Sequence, residues 1–451
     1  MPATITTLAP AIADGSVSAT SLVEQCLARI AADDRQGAAL HAIIRLNPGA
    51  MAEAAALDAE RDVSGVRGPL HGIPLVIKDN IDLLGLPTTS GCLGLADAMP
   101  LADAAQVRRL RAAGAIIIAK ANMAELSFEI RSRSSVAGDV RNPFDGNVTS
   151  GGSSGGTAAA IAAGFALAGL GTDTGGSIRI PAAFCGLVGF RPSWGVADMA
   201  GIAPLAPSAD TVGPLARSVA DAALLFAVMT DPGAAPDATG TRRRIGVLRQ
   251  FFGADPQIIA AGESVLQRLT AAGFDIIDPV PLPEEFLPNS TVDVVDHEFA
   301  EAFDAYLAGN FGSGAPASVA ALHASGRFLE DYDATLRRRA TLPTDRQPHR
   351  LLLERRAALR QAVEALLADH RLDALCYPTS AVVPTTLVNP TSGLAPELSA
   401  WTGLPALTLP VGVAASGLPI GFELLGGADW PLLATAAAVE GSLNRAAPQP
   451  H

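Results

Sequence analysis

Lysine is almost missing. It stands at two positions, Lys78 and Lys120, and arginine supplies the other thirty of the 32 basic side chains. Codon bias alone produces such a ratio. Even so, a chain that writes arginine nearly everywhere keeps lysine where a side chain able to shed its proton is useful, because a guanidinium stays charged and a buried ammonium need not. Retention alone does not say which of the two lysines is chemical. Cysteine is sparse too: Cys26, Cys92, Cys185 and Cys376 are scattered, with no C-x-x-C pair and no Cys/His spacing of the zinc kind. That argues against a disulfide framework and a zinc module, and it fits a reduced, cytoplasmic setting.

Basic runs stop at Arg242–Arg244 and Arg337–Arg339 in a chain of net charge −13, so neither nucleic acid nor an anionic membrane is an expected partner. The N-terminus MPATITTLAPAIADGSVSAT lacks the basic flank and apolar core of a secretory signal. The longer apolar runs are broken by Ala and Gly, so no transmembrane helix is expected. None of the seven histidines sits in a convincing catalytic context, and no cofactor or metal is implied.

What is present points to a large buried core: 451 residues, 49% apolar and only 17% charged. SATSLVEQCLARIAADD has Ser/Thr caps and helical spacing and predicts a helix over 18–32, and NPGAMAEAAALDAERD predicts a second. Ile73–Ile77 reads as a β-type run ending on Lys78, and Ala115–Ala119 as a buried strand of parallel type. Residues 130–153, polar and rich in Gly and Pro, read as a long ordered loop. Then GGTAAAIAAGFALAGLGTDTGG gives a small-residue helix, a strand and a turn at Ser177. SVADAALLFAVMT, 257–273 and 431–445 read as helices, and 285–370 as mostly helical. RRRIGVLRQFF, 274–277, LDALCYPTSAVVP, GLPALTLPVG and LPIGFELLGG read as strands. Helices alternate with strands throughout, which predicts an α/β fold in a single large domain, 1–451.

In TDTGGSIRIP (172–181), Ser177 follows two glycines, with an aspartate before them and an arginine after. Glycines let a backbone approach a reacting group closely, and successive N–H groups in a turn can hold an anion. GGSSGGTAAAIA (151–162) fits two short patterns in passing. Gly151-x-Ser153-x-Gly155 and Gly152-x-Ser154-x-Gly156 match a nucleophile elbow, but that needs a strand immediately before it and a later histidine, and the preceding NPFDGNVTS is a loop. A phosphate-cradling loop would need GxxxxGK[ST], and the following helix carries no lysine.

Taken together, the run G-G-S-S-G-G … G-T-D-T-G-G-S-I-R-I-P-A from Gly151 to Ala182 resembles the amidase signature family. Ser177 stands 24 residues after Ser153 and 99 after Lys78, as in that family, and GIPLVIKDNID matches the family's lysine segment. AKANMAELSF, RNP and FCGLVGFRPSWG fill in, so that clear resemblance covers residues 65–225. It implies a mixed, twisted β-sheet core covered by helices on both faces. It also implies Ser177 as nucleophile, Ser153 as bridging serine on a cis peptide and Lys78 as base. The N–H groups of Thr174, Gly175, Gly176 and Ser177 would form the oxyanion hole. Around them, Ser154 and Thr172 are candidate hydrogen-bonding neighbours, and Asp173 and Arg179 a supporting ion pair. Ser127 and Phe128 fall where family members line the acyl pocket.

The chemistry stands on its own terms. A serine hydroxyl is a poor nucleophile until a base takes its proton, and a lysine whose pKa is lowered by burial can be that base. Lys120 reads as structural, and His71 as a loop or core residue.

The resemblance implies an amidase acting on a small-molecule amide. GSIRIPA, GFRPSWG and the SFxxxxxS spacing look closer to indoleacetamide and mandelamide hydrolases than to the glutaminase subunit of an aminoacyl-tRNA amidotransferase, which usually reads GSIRQPA and GLKPTYG and is the alternative. Residues 285–400 carry Phe286, Phe299, Phe303, Tyr306, Phe311, Phe328 and Tyr332. They are expected to be a variable, helical pocket region with few fixed charges. The expected substrate is a neutral aryl or aryl-alkyl amide. A carbamate carbonyl can be attacked in the same way, which brings urethanes within reach. A homodimer is a family-level expectation.

Overall fold

Eleven strands join in one mixed sheet among the residues described by the computed structural model, which are 3–230, 243–283, 294–341, 343, 345–388 and 397–443. They are β1 (Ile43–Leu46), β2 (Pro74–Lys78), β3 (Ile116–Ala121), β4 (Ala168–Asp173), β5 (Val188–Arg191), β6 (Thr211–Ala216), β7 (Arg244–Val247), β8 (Asp275–Ile277), β9 (Ala374–Pro378), β10 (Ala406–Val413) and β11 (Pro419–Leu425). Their order across the sheet is β1-β3-β2-β4-β6-β5-β10-β11-β9-β7-β8. β2 is parallel to β3 and β4, and β7 is parallel to β8 and β9; the other neighbours are antiparallel.

The parallel pairs follow from helical crossovers: Ala105–Ala112 between β2 and β3, Gly155–Ala162 before β4, and Pro256–Ala271 between β7 and β8. Side chains alternate across the sheet with a period of two. Leu75 and Ile77 of β2 face the core containing Val107, Leu110, Leu225 and Phe226, while Val76 faces the core containing Val23, Ala54 and Ala158. All of β2, β3 and β4 is buried, as strands covered on both faces must be. The expected α/β architecture, a mixed sheet between helical layers, is what the chain forms.

The anticipated helices appear as Ala19–Asp33, Ala50–Ser64, Val219–Met229 and Pro256–Ala271, and the last as Asp429–Ser442, with 444 and 445 outside the described residues. The segment 130–153 is more ordered than a loop: Arg133–Ser134 pairs with Gly138–Asp139, and Arg141–Asn142 with Asp145–Thr149. β5 and β6 were not anticipated. Gly189 interrupts one, and Gly213 and Pro214 interrupt the other, and those residues ordinarily argue against a central strand.

Candidate active site

Two parallel strands deliver the site at their C-terminal ends. Lys78 is the last residue of β2 and, by alternation, points to the same side as Val76, under the helix Gly155–Ala162. Thr172 and Asp173 end the neighbouring β4. Lys78 is wholly buried, with Nζ 2.6 Å from Ser153 Oγ and 2.7 Å from Thr172 Oγ1. Asn80 Nδ2 donates to the same Thr172 hydroxyl at 3.0 Å. Burial pulls the Lys78 ammonium down to about 7, with the Asp173 and Asp210 carboxylates opposing it. The Gly152–Ser153 peptide is cis, as the resemblance implied. Ser154 Oγ donates to the carbonyl of Thr172 at 3.3 Å.

Ser177 is 7% exposed and opens onto a cleft. Its backbone carbonyl accepts the Ser154 N–H at 3.2 Å. Its hydroxyl makes no hydrogen bond to Ser153 in this structure, so the series of side chains is joined only at its Lys78–Ser153 end. Such bonds are often loose without substrate and tighten in the complex.

The turn before Ser177 is built around Asp173. Its carboxylate accepts the N–H of Gly176 at 2.8 Å and of Ile178 at 3.0 Å, and pairs with Arg179 at 3.1 Å and Arg191 at 3.1 Å. Burial alone would raise this carboxyl; Arg179 and Arg191 outweigh it and hold it well below the usual carboxylate range. Arg179 continues to Glu423 at 2.6 Å, and Glu423 accepts from Tyr377 Oη at 2.8 Å. The expected Asp173–Arg179 pair is therefore one link of a longer buried network.

One expectation needs correcting. The Gly176 N–H, anticipated among the oxyanion donors, is donated to Asp173, because the carboxylate curls under the turn. Thr174, Gly175 and Ser177 line the cleft.

Sequence reasoning missed Asp210. Its carboxylate accepts the Thr174 hydroxyl at 2.6 Å and the N–H groups of Leu205 and Ala206 at 2.8 and 3.0 Å. Burial pushes this carboxyl up, against those donors. A lone acid in the small, apolar stretch APSADTVGP was the available signal. Asn80, Arg191 and Glu423 were also passed over.

The cleft measures about 660 Å³, counting the part open to solvent, and Ser127 and Phe128 line it as expected. Leu126 and Ser127 both have positive φ, 53° and 61°, a region costly for residues with a side chain. The turn they make carries Phe128, whose ring meets Phe299 edge-on at 5.0 Å and Tyr332 at 5.7 Å.

The expected charge-poor lining is not found: Glu129, Arg339, Arg356 and Glu397 all reach the cleft. The aromatics of 285–400 stand mostly behind it. Phe299, Phe303 and Tyr306 pack with Phe128 in a separate core, backed by Phe311 and Phe328. Phe286 lies outside the described residues.

Lys120 is buried as well, but it bonds the Ile81 carbonyl and Thr88 Oγ1 and pairs with Asp79 at 3.5 Å, contacts that tie the fold. His71 is engaged with the Leu57 carbonyl and the Arg67 N–H. Among the described residues no group of three or more His, Cys, Asp or Glu is placed to hold a metal ion, and no helix is long and apolar enough to cross a membrane.

Known proteins share this arrangement of sequence and fold. A family model described as Amidase matches residues 21–429. Indoleacetamide hydrolase of Allorhizobium ampelinum is 35% identical over 84% of this chain and 86% of its own length. A glutamyl-tRNA(Gln) amidotransferase subunit of Synechococcus sp. is 35% identical over 94% of this chain and 93% of its own. The crystal structure of peptide amidase from Stenotrophomonas maltophilia superposes with a TM-score of 0.88 at 33% identity, covering 100% of this chain and 98% of that one. With the family model spanning most of the chain and relatives matched over nearly their whole length, this chain belongs to the amidase signature family and is an amide-hydrolysing enzyme.

Proposed function

We propose that this amidase works through an acyl-enzyme on Ser177, with Ser153 relaying protons between Ser177 and the base Lys78. The observation that carries the reading is the wholly buried Lys78, lowered to about 7 and 2.6 Å from Ser153 Oγ. Lys78 is then neutral for much of the time near pH 7 and has a lone pair to offer. As Ser177 Oγ adds to the carbonyl carbon, its proton passes to Ser153, and that of Ser153 to Lys78. The negative charge on the carbonyl oxygen is received by the N–H groups of Thr174, Gly175 and Ser177; losing one such donor typically costs about 3 kcal/mol of barrier. The C–N bond breaks as the proton returns through Ser153 to the leaving nitrogen. Water then enters by the same relay and frees the acid.

Small-molecule amides are the substrates, with Phe128 and Trp401 offering aromatic wall to an aryl group, and carbamates are open to the same attack. In this proposal the whole chain acts as one amidase domain. Residues 285–400 supply its variable pocket wall, a role supported by Val294, Val295, Arg339, Arg356 and Glu397 on the cleft. Four buried, unpaired cysteines support a cytoplasmic setting. The homodimer is proposed on the family resemblance alone.

A second reading, the glutaminase component of an amidotransferase, is supported by the 35% identical Synechococcus relative. Its mark would be glutamine turnover by this chain, or copurification with a second, different chain.

The test of the nucleophile is covalent labelling. A fluorophosphonate should leave its adduct on Ser177, located by peptide mass spectrometry. An adduct on Ser153 or Ser154 instead would reverse the assignment.

A further inference from the structure

Among the described residues the Lys78 amine has two hydrogen-bond partners, Ser153 Oγ at 2.6 Å and Thr172 Oγ1 at 2.7 Å. An ammonium carries three N–H donors, whereas a neutral amine carries two and a lone pair. The relay works only when that lone pair faces the Ser153 hydroxyl. An amine rotates about its own Cε–Nζ bond, so the direction of the lone pair depends on where an N–H is anchored. Thr172 Oγ1 is the anchor that the site offers.

Thr172 has to be held in turn. A threonine presents its hydroxyl or its methyl to the same neighbour according to its χ1 rotamer. Asn80 settles which, because its Nδ2 donates to Thr172 Oγ1 at 3.0 Å. Asn80 is 3% exposed, and this is its one side-chain hydrogen bond among the described residues, since Oδ1 has none. A buried amide with one end unmet is a costly way to fill space. Neither Asn80 nor Thr172 is among the residues that line the cleft, so both act through Lys78 and not on the substrate.

We propose that Asn80 is a positioning residue for the base. It holds the Thr172 hydroxyl toward Lys78, and that hydroxyl, by taking one N–H, turns the lone pair of Lys78 onto Ser153. This rests on Lys78 as the base of the relay. Thr172 then has a second effect, because an acceptor bonded to the charged form of the lysine favours that form. The charged groups around Lys78 are Asp173 and Asp210, whose carboxylates act on it, and Asp79, whose carboxylate faces Lys120 and the N–H groups of Thr89 and Gly91. The helix Gly155–Ala162 above it carries no charged residue. Substitutions at Thr172 and Asn80 leave all of these in place.

The test measures kcat, KM and the ascending limb of the pH–rate profile for Thr172→Val, Thr172→Ser, Asn80→Ala, and Asn80→Ala combined with Thr172→Val. The substrate is an amide that the wild type turns over, and circular dichroism confirms folding. Thr172→Val keeps the shape and loses the acceptor. Its kcat should fall about tenfold or more with KM little changed, and its limb should move about one pH unit lower, the worth of one hydrogen bond to a charged group. Thr172→Ser should keep both near the wild type. Asn80→Ala should change both in the same direction as Thr172→Val, and so reads the effect by itself should the strand variant not fold. Adding it to Thr172→Val should cost little more, because Asn80 works only through that hydroxyl. An unmoved limb in the folded variants, or losses that multiply when the two are combined, would make the pair merely structural and overturn the inference. Wild-type kcat in Asn80→Ala would overturn it too, while leaving Lys78 as base. A wild type with no ascending limb near pH 7 would overturn the Lys78 reading and the inference with it.

Discussion

Asp210 does two things from one buried position. It holds the hydroxyl of Thr174 at 2.6 Å, and so fixes the turn that presents the N–H groups. Its charge also opposes the lowering of the Lys78 pKa. Asp210→Asn should therefore cut kcat/KM by about tenfold to a hundredfold, less than or equal to the loss of one oxyanion donor. It should also move the ascending limb of the pH–rate profile toward lower pH, since a carboxylate that favoured the charged lysine is gone. A rate loss with an unmoved limb would mean that Asp210 acts on the turn alone. Asp210 was hard to read from sequence because its one local mark is that it is a lone acid in a small, apolar stretch. It meets Thr174 only through the pairing of β4 with β6. Lys78, Ser153, Asp173, Ser177 and Arg179 were legible because three short segments at fixed separations carry them. The charged cleft residues Arg339, Arg356 and Glu397 come from the helical region far along the chain, where no local pattern says which side chains turn inward.

At the scale of elements, apolar patterning found β2 and β3 because buried parallel strands read as plain apolar runs. It lost β5 and β6 to their glycines and Pro214. Pro214 pairs with Leu170 in the middle of the sheet, where its missing N–H would normally exclude it. The glycines around the start of the helix Gly155–Ala162 were read for chemistry, and their packing role is at least as strict. A Cβ on Gly156 would clash with the Asn122 carbonyl oxygen and stand 2.6 Å from that of Ala42, and both are backbone atoms that cannot swing away. Gly156→Ala should push this helix off β3 and with it the Ser153 peptide. Overpacking of this kind costs about 1–3 kcal/mol or more. Urea unfolding should show that loss, together with a fall in kcat/KM. Wild-type stability would show that the helix has room the packing does not reveal.

Across the whole molecule, the two lysines share one fate and serve different ends. Both are wholly buried, and burial lowers both below the ordinary lysine value. Only Lys78 meets the serine of the relay. For Lys78 the folded value of about 7 lies under the unfolded value, which is about 10.4 for an ordinary lysine. Between those two values the unfolded chain binds a proton that the folded chain does not, so this group makes stability rise with pH across that window. Lys78→Met removes the contribution. The stability of the wild type relative to Lys78→Met should therefore grow by about 2 kcal/mol from pH 7.5 to 9.5, measured by urea unfolding at both. A gap that stays constant would mean that Lys78 keeps its proton in the folded state.

That proton decides the central claim, and the most direct measurement is kcat/KM against pH for the wild type and for Lys78→Arg, on an amide that the wild type turns over, with circular dichroism to confirm folding. The wild type should rise through an apparent pKa of about 7 and level off above it, because only the neutral amine accepts a proton from Ser153. Lys78→Arg should fold and be nearly inactive at every pH, since a guanidinium keeps its proton. A folded Lys78→Arg enzyme with near wild-type turnover would contradict the account and leave the residue a role in charge or shape only.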